Sequence, residues 1–173
     1  KVIQNISVNA ALTKMDVKSY PLIDLYCEDK EAKWLINKAI SAIESEGKII
    51  GFSNLINIII SGSSNLTYTH FVSHCQTFNV KKIRSGYACI LDGDMKNMKN
   101  SKGDPSFPPH ENLHFLYSNE CPEKFLTREF LSRYPNVNIE YYLENENPHY
   151  LIQAIINNST FNSFEDVIEE CWR

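Results

Sequence analysis

The sequence predicts an α/β fold: a four-stranded parallel sheet with helices on both faces and a helical extension at the C-terminus. Two observations support this prediction. Four short apolar segments rich in Ile and Leu lack the polar alternation of a half-exposed strand, which indicates strands buried on both faces. Helical patterns separate these segments, and strands that alternate with helices are typical of a parallel sheet.

The first half of the chain supplies two strand–helix units. The first strand is predicted at residues 22–27, and its helix at about 31–44, where apolar side chains recur at helical spacing. The second strand is predicted at residues 56–60, and a helix with apolar residues between 68 and 75 follows it.

The remaining core elements lie on either side of a long loop. The third strand is predicted at residues 87–91, and the fourth at 113–117. The loop between them, at about residues 95–112, is rich in Lys, Asn, Gly and Pro. A helix is then predicted to begin at Pro122, a residue favoured in the first helical turn, with the acidic Glu123 beside it.

The chain divides by pattern into three parts. Residues 1–20 are polar and weakly patterned, as expected of an arm or of the remnant of an upstream domain. Residues 21–135 form the predicted core, and residues 136–173 a mostly helical extension. The last helix of the extension is predicted to open with a capping box from Ser163 to Asp166.

Composition excludes several classes of protein. The 173 residues fit one domain, and a net charge of −4 argues against a general polyanion-binding surface. No apolar run approaches the ~20 residues of a membrane span and no signal-peptide pattern opens the chain, so we expect a cytoplasmic protein without a membrane partner. The five cysteines are scattered, odd in number and without a CxxC pair, which indicates reduced core residues rather than a zinc site.

Acidic residues follow two of the predicted strands. Asp92-Gly93-Asp94 ends the third strand, and Glu28 is the first residue after the first strand. Because parallel strands present their carboxyl ends at one edge of the sheet, where ligands bind, we expect these carboxylates at the same edge. Oxygen ligands of this kind suit Mg²⁺ or Mn²⁺. A plain turn at the aspartates, and a helix-dipole role for Glu28, are the alternatives.

The order of these motifs resembles a TOPRIM domain, the module shared by topoisomerases, bacterial primases and OLD-family nucleases. A glutamate follows the first strand, Gly-Ser-Ser follows the second and Asp-Gly-Asp follows the third, over roughly residues 21–120. The resemblance implies that Glu28 acts as a general acid/base or metal ligand. It also implies that Asp92 and Asp94 hold Mg²⁺ or Mn²⁺, with all three acids serving catalysis.

Within that family the chain looks most like the C-terminal TOPRIM domains of OLD-like ATPase-nucleases. The similarity lies in the segments 26–29, 90–94 and 121–126. It implies a DNA endonuclease acting in antiphage defence, an ABC-type ATPase located before Lys1, and a homo-oligomeric full-length protein. It further implies a catalytic lysine near the scissile phosphate, for which Lys124 is one candidate and Lys96 another. From the residues alone, a solvated lysine on a helix or loop accounts better for each position.

The chain departs from the OLD pattern just after Glu28. Those nucleases often carry Gly next to the glutamate and a further acid four positions after it, whereas this chain has Asp29 and Ala32 there. Either Asp29 or Glu31 substitutes for the missing acid, or a second metal is bound poorly.

Two other functions remain open from the sequence. A catalytically degenerate TOPRIM module would serve in assembly or DNA docking, and the altered motif after Glu28 favours it. A haloacid dehalogenase-like phosphatase would use Asp92 as nucleophile, but that family carries its DxD on the first strand of the core, and two strand–helix units precede it here.

Overall fold

The computed structural model describes residues 22–47, 51–81, 85–137, 140–145 and 147–172. The predicted arm at residues 1–20 lies outside them. Four strands occur in this part of the chain: β1 (Ile23–Cys27), β2 (Ile56–Ile60), β3 (Gly86–Leu91) and β4 (Leu113–Phe115). The helices are α1 (Lys30–Ser45), α2 (Ser64–Lys81), α3 (Pro122–Arg133), α4 (Glu140–Asn145), α5 (Leu151–Asn158) and α6 (Phe164–Trp172).

The four strands form one parallel sheet in the order β2-β1-β3-β4. The predicted α/β class and the four-stranded parallel sheet are therefore confirmed. β1 and β3 are the central pair, with Tyr26 opposite Cys89. Because they are adjacent and parallel, their carboxyl ends lie side by side at the same edge of the sheet.

The first two helices cover opposite faces of this sheet. α1 joins β1 to β2 on one side of β1, and α2 leads back to β3 on its other side, so right-handed crossovers place the helices on opposite faces. The side chains agree, because the Tyr26 hydroxyl lies 3.0 Å from Nδ1 of His74 on α2. Leu25 and Cys27 alternate with Tyr26, point to the other face and are buried.

The described residues group into two compact units. The first contains the sheet and its two helices, and comprises the described part of the chain up to Leu91 together with Asn97–Phe115. The second comprises Asp92–Lys96 and the described residues of Leu116–Arg173. It includes α3, which the sequence assigned to the core. The domain boundaries predicted after residues 20 and 135 stay predictions.

The second unit has its own apolar core, in which α3, α5 and α6 pack on one another. Its buried side chains are Leu126 and Phe130 of α3, Leu151 and Ile155 of α5, and Val167 of α6. The predicted helix starts are confirmed. Proline occupies the first turn of α3, and Oγ of Ser163 accepts the N–H of Asp166 at 3.1 Å before α6. None of the helices in the described ranges is both long and apolar enough to cross a bilayer.

We predict that Asp29 stabilises the fold as the N-cap of α1, because its Oδ1 accepts the N–H of Ala32 at 2.8 Å. Asp29→Ala should lower the free energy of unfolding in urea by about 1 kcal/mol, the usual loss for a removed cap. Asp29→Asn keeps an acceptor oxygen and should retain most of that stability. An equal loss in both variants would assign the effect to charge and contradict the capping role.

Candidate active site

Glu28 lies at the carboxyl edge of the sheet in the first unit, one residue beyond β1. Its side chain is buried. The backbone there is tied to the loop after β2: the Glu28 carbonyl accepts the N–H of Gly62 at 2.8 Å, and the Cys27 carbonyl accepts that of Ser61 at 2.9 Å. The hydroxyl of Thr67 also donates to the Cys27 carbonyl, at 3.3 Å. These bonds fix the position of Glu28 at the edge where the sequence predicted it.

The Glu28 carboxylate contributes to the raised pKa of a neighbouring thiol in the first unit. Burial, together with the neighbouring Glu28 carboxylate and Cys27, raises the pKa of the Cys89 thiol to about 12. Cys89 is therefore a protonated thiol at neutral pH. Among the described residues, Cys27, Cys75, Cys89 and Cys121 form no disulfide bond, in agreement with reduced thiols.

The residues that follow Glu28 have structural roles. Asp29 caps α1, and Glu31 forms an ion pair with Lys30, with 3.6 Å between Oε1 and Nζ. Ala32 is fully buried, so a longer acidic side chain at this position would have to displace core atoms. Helix α1 thus turns this position into the interior. Neither Asp29 nor Glu31 is left exposed as an obvious replacement for the missing acid.

Asp92, Gly93 and Asp94, hereafter the acidic turn, belong to the second unit. Asp92 is buried, and its carbonyl accepts the N–H of Met95 at 3.2 Å. Gly93 is packed so closely that a Cβ added to it would lie 1.8 Å from the carbonyl oxygen of Ser118. Its φ angle lies outside the left-handed region. Glycine is therefore needed here for close approach, whereas the sequence indicated a sharp turn.

Asp94 is brought together with two charged residues of α3. Its side chain is exposed at one side, yet partial burial raises its pKa, and the nearby Glu123 carboxylate adds to that rise. Lys124 and the backbone N–H groups of Asp94 and Met95 act in the opposite direction. The predicted site residues Asp94 and Lys124 are thus electrostatic neighbours within the second unit. Lys96, the alternative lysine, is exposed on the same segment as the acidic turn.

Glu123 is a site residue that the sequence did not predict. Only 1% of it is exposed, which is unusual for a glutamate and indicates a specific role. Cys121 is affected by the same two acids. Its pKa is raised to about 12, mainly by burial, and Glu123 and Asp94 contribute to that increase. The signal available in the sequence was an acid directly after Pro122, but such an acid also suits any helix N-terminus.

Two acids are neighbours here, but they do not form a closed metal site. Asp94 and Glu123 repel each other when both are ionised, and a bound cation would relieve that repulsion. Across the ranges that the structure describes, no group of three or more His, Cys, Asp or Glu side chains is placed to hold a metal ion. The ligand set of Glu28, Asp92 and Asp94 therefore stays a prediction.

Comparisons with known proteins leave the family open. No family model, no curated protein and no solved structure matches this chain. The resemblance to TOPRIM domains consequently rests on the motifs and their order in the sequence.

We predict that Gly93→Ala destabilises the protein, because the new methyl group meets a backbone carbonyl that cannot rotate away. The free energy of unfolding should fall by about 1–3 kcal/mol, as for other overpacked sites. Gly86→Ala in β3 is the matched control, since its Cβ would sit 3.5 Å from the Leu22 carbonyl, an ordinary contact. Equal stability of the two variants would contradict the close approach at Gly93.

We predict that Asp94→Asn stabilises the protein at neutral pH. A raised pKa means that the protonated carboxyl fits the folded state better, so this stability is present at low pH and is lost as the pH rises through the folded-state pKa. In EDTA, the Tm gain of Asp94→Asn should be clear near pH 7 and should shrink below the ordinary aspartate pKa of about 3.9. Asp104→Asn, in the exposed loop before β4, is the control. A gain that is independent of pH would contradict the electrostatic cause.

Proposed function

We propose that the chain is the metal-dependent endonuclease domain of an OLD-like ATPase-nuclease that nicks or cleaves DNA. The observation that carries the proposal is the sheet order. β1 and β3 are adjacent and parallel, and each is followed at once in the chain by an acid, Glu28 in one case and Asp92 in the other. Ligands of open α/β sheets bind at the carboxyl ends of the strands, particularly where neighbouring connections diverge.

The residues present fit a divalent cation in their chemistry. Glu28, Asp92 and Asp94 offer only carboxylate oxygens, the ligand type that Mg²⁺ and Mn²⁺ prefer. Burial is the main cause of the raised pKa of Asp94, and the Glu123 carboxylate adds to it; a cation bound beside Asp94 would offset that contribution. When bound, such an ion would supply charge neutralisation at phosphate oxygens and activation of a water molecule.

The chain's own residues would perform the remaining tasks. Lys124, already an electrostatic neighbour of Asp94, would attract the phosphate and offset the charge that builds up during cleavage. Glu28, the first residue after β1, would act as the general acid/base that takes or gives the proton. The upstream ATPase, the homo-oligomer, the antiphage role and the cytoplasmic location belong to the same proposal.

A degenerate TOPRIM module for assembly or DNA docking is the second candidate function. The buried Ala32 favours this candidate, because alanine stands where the OLD pattern has a further acid. A neighbouring residue of α1 could not supply that acid without rebuilding the helix. The phosphatase alternative gains no support from the fold, since the acidic turn follows the third of the described strands.

We predict that the protein nicks supercoiled plasmid in the presence of Mg²⁺ or Mn²⁺, and that Glu28→Gln, Asp92→Asn and Asp94→Asn each lower the rate by a factor on the order of 100 or more. The reason is that each substitution removes a charge proposed to hold the cation or to move the proton. The measurement is the initial rate of conversion to open-circular DNA at saturating metal.

Asp29→Asn is the matched control for this assay. It removes the carboxylate next to Glu28 but keeps a capping oxygen, so activity should remain near that of the wild type. Nicking that survives Asp92→Asn and Glu28→Gln would exclude the proposed site. No nicking with either metal, by the chain alone or with an added ATPase partner, would favour the docking module.

A further inference from the structure

Three titratable side chains of the first unit meet at the sulfur of Cys75. Nε2 of His110 lies 3.6 Å from this sulfur. The Tyr87 hydroxyl also hydrogen-bonds it, which is the largest cause of the raised pKa of that tyrosine. Cys75 belongs to α2, Tyr87 to β3 and His110 to the loop before β4, so the fold brings together residues that are distant in the sequence.

The hydrogen bonds of His110 determine which of its nitrogens carries the proton. The backbone N–H of Asn112 donates to Nδ1 at 3.1 Å, so Nδ1 is an acceptor and the proton of the neutral ring is on Nε2. Nε2–H therefore faces the Cys75 sulfur as a donor. The ring also packs edge-on against the buried Phe71, with 5.0 Å between the ring centroids. His110 is thus held in place by contacts other than the one with Cys75.

The Tyr87 hydroxyl is the second donor at this sulfur. The hydrogen bond to Cys75, burial and the Glu111 carboxylate all raise the pKa of Tyr87, so the phenol is protonated at neutral pH and keeps its hydrogen. The sulfur therefore accepts hydrogen bonds from one N–H and one O–H group. Donors placed in this way stabilise the negative charge that a sulfur and its reaction partner carry during nucleophilic attack.

The other described cysteines have different surroundings. Cys27 and Cys89 are fully buried, and the pKa of Cys89 is raised to about 12. Cys121 is partly exposed, as Cys75 is, but its pKa is likewise raised to about 12 by burial and by two nearby acids. A raised pKa leaves little of the nucleophilic thiolate at neutral pH. Cys75 differs from these three because it is partly exposed and its sulfur contacts an imidazole and a phenol.

We propose that Cys75 is a peroxide-reactive thiol, a modification site that hydrogen peroxide oxidises to the sulfenic acid with the help of the Nε2–H group of His110 and the hydroxyl of Tyr87. The sulfur forms an S–O bond as the O–O bond of the peroxide breaks. Cys75 is oxidised by two electrons, and the second peroxide oxygen leaves as water with the proton of the thiol. The two donors offset the negative charge on the departing oxygen. This inference is independent of the proposed nuclease function, because none of the proposed nuclease residues takes part.

The test compares the cysteines of one sample. The reduced 173-residue chain receives a brief pulse of hydrogen peroxide with dimedone, which traps sulfenic acids, and labelling is quantified by peptide mass spectrometry. Each of the 5 cysteines falls in a different tryptic peptide, so their rates are obtained separately. Cys75 should be labelled at least about tenfold faster than Cys121, the ratio that one hydrogen bond to a developing charge provides. Equal rates at these two cysteines, or no labelling of Cys75, would overturn the inference.

Variants test the two donors. His110→Leu removes Nε2–H and Tyr87→Phe removes only the hydroxyl, and each should slow the labelling of Cys75 about tenfold. His110→Gln keeps an N–H donor and should retain most of the rate, which a purely structural role of the imidazole does not predict. Labelling of the fully buried Cys27 and Cys89 would reveal unfolding, and where His110→Leu unfolds the chain, Tyr87→Phe decides. A wild-type labelling rate in either folded variant would exclude the proposed role of that donor.

Discussion

The close contact between Gly93 and the Ser118 carbonyl is the constraint on which the second unit depends. Any side chain at position 93 would collide with backbone. The acidic turn and the segment before α3 can therefore pack this closely only because residue 93 is glycine. That contact places the aspartates next to the start of α3, which carries Glu123 and Lys124. The glycine of Asp-Gly-Asp thus determines which side chains become neighbours.

Bringing Asp94, Glu123 and Lys124 together in this way is electrostatically unfavourable for folding. Asp94 has a raised pKa because partial burial and Glu123 disfavour its charge, and Lys124 offsets only part of this effect. Clusters of this kind lower stability, and proteins retain them most often where they bind or transform a ligand. Glu28 is a comparable case in the first unit. It is a buried carboxylate, and its charge disfavours ionisation of the Cys89 thiol. In the first unit this charge lies at the carboxyl edge of the sheet, where α/β sheets bind ligands.

The sheet and its helices could be predicted from sequence because their signals are local. The Ile-rich run at 56–60 and the helical spacing after residue 30 reflect burial, and the strands and helices observed there begin and end within one or two residues of the prediction. The site was harder to predict, because acids that are adjacent in the sequence have different structural roles. Asp29 became a helix cap while Glu28 remained at the sheet edge, and Glu123, which resembles an ordinary first-turn acid, proved to be buried beside Asp94. These differences arise from tertiary packing, which spacing along the chain does not encode.

Binding of Mn²⁺ tests the proposed divalent-cation site of Glu28, Asp92 and Asp94 more directly than any assay of activity. The free-ion signal in electron paramagnetic resonance measures binding, and thermal unfolding of the same samples measures its linkage to folding. We expect saturable binding that stabilises the wild type by about 2.7 kcal/mol when free Mn²⁺ reaches about a hundred times its Kd. Both effects should disappear in Asp92→Asn. An unchanged Mn²⁺ signal with the wild type, or equal binding by Asp92→Asn, would contradict the proposed cation site.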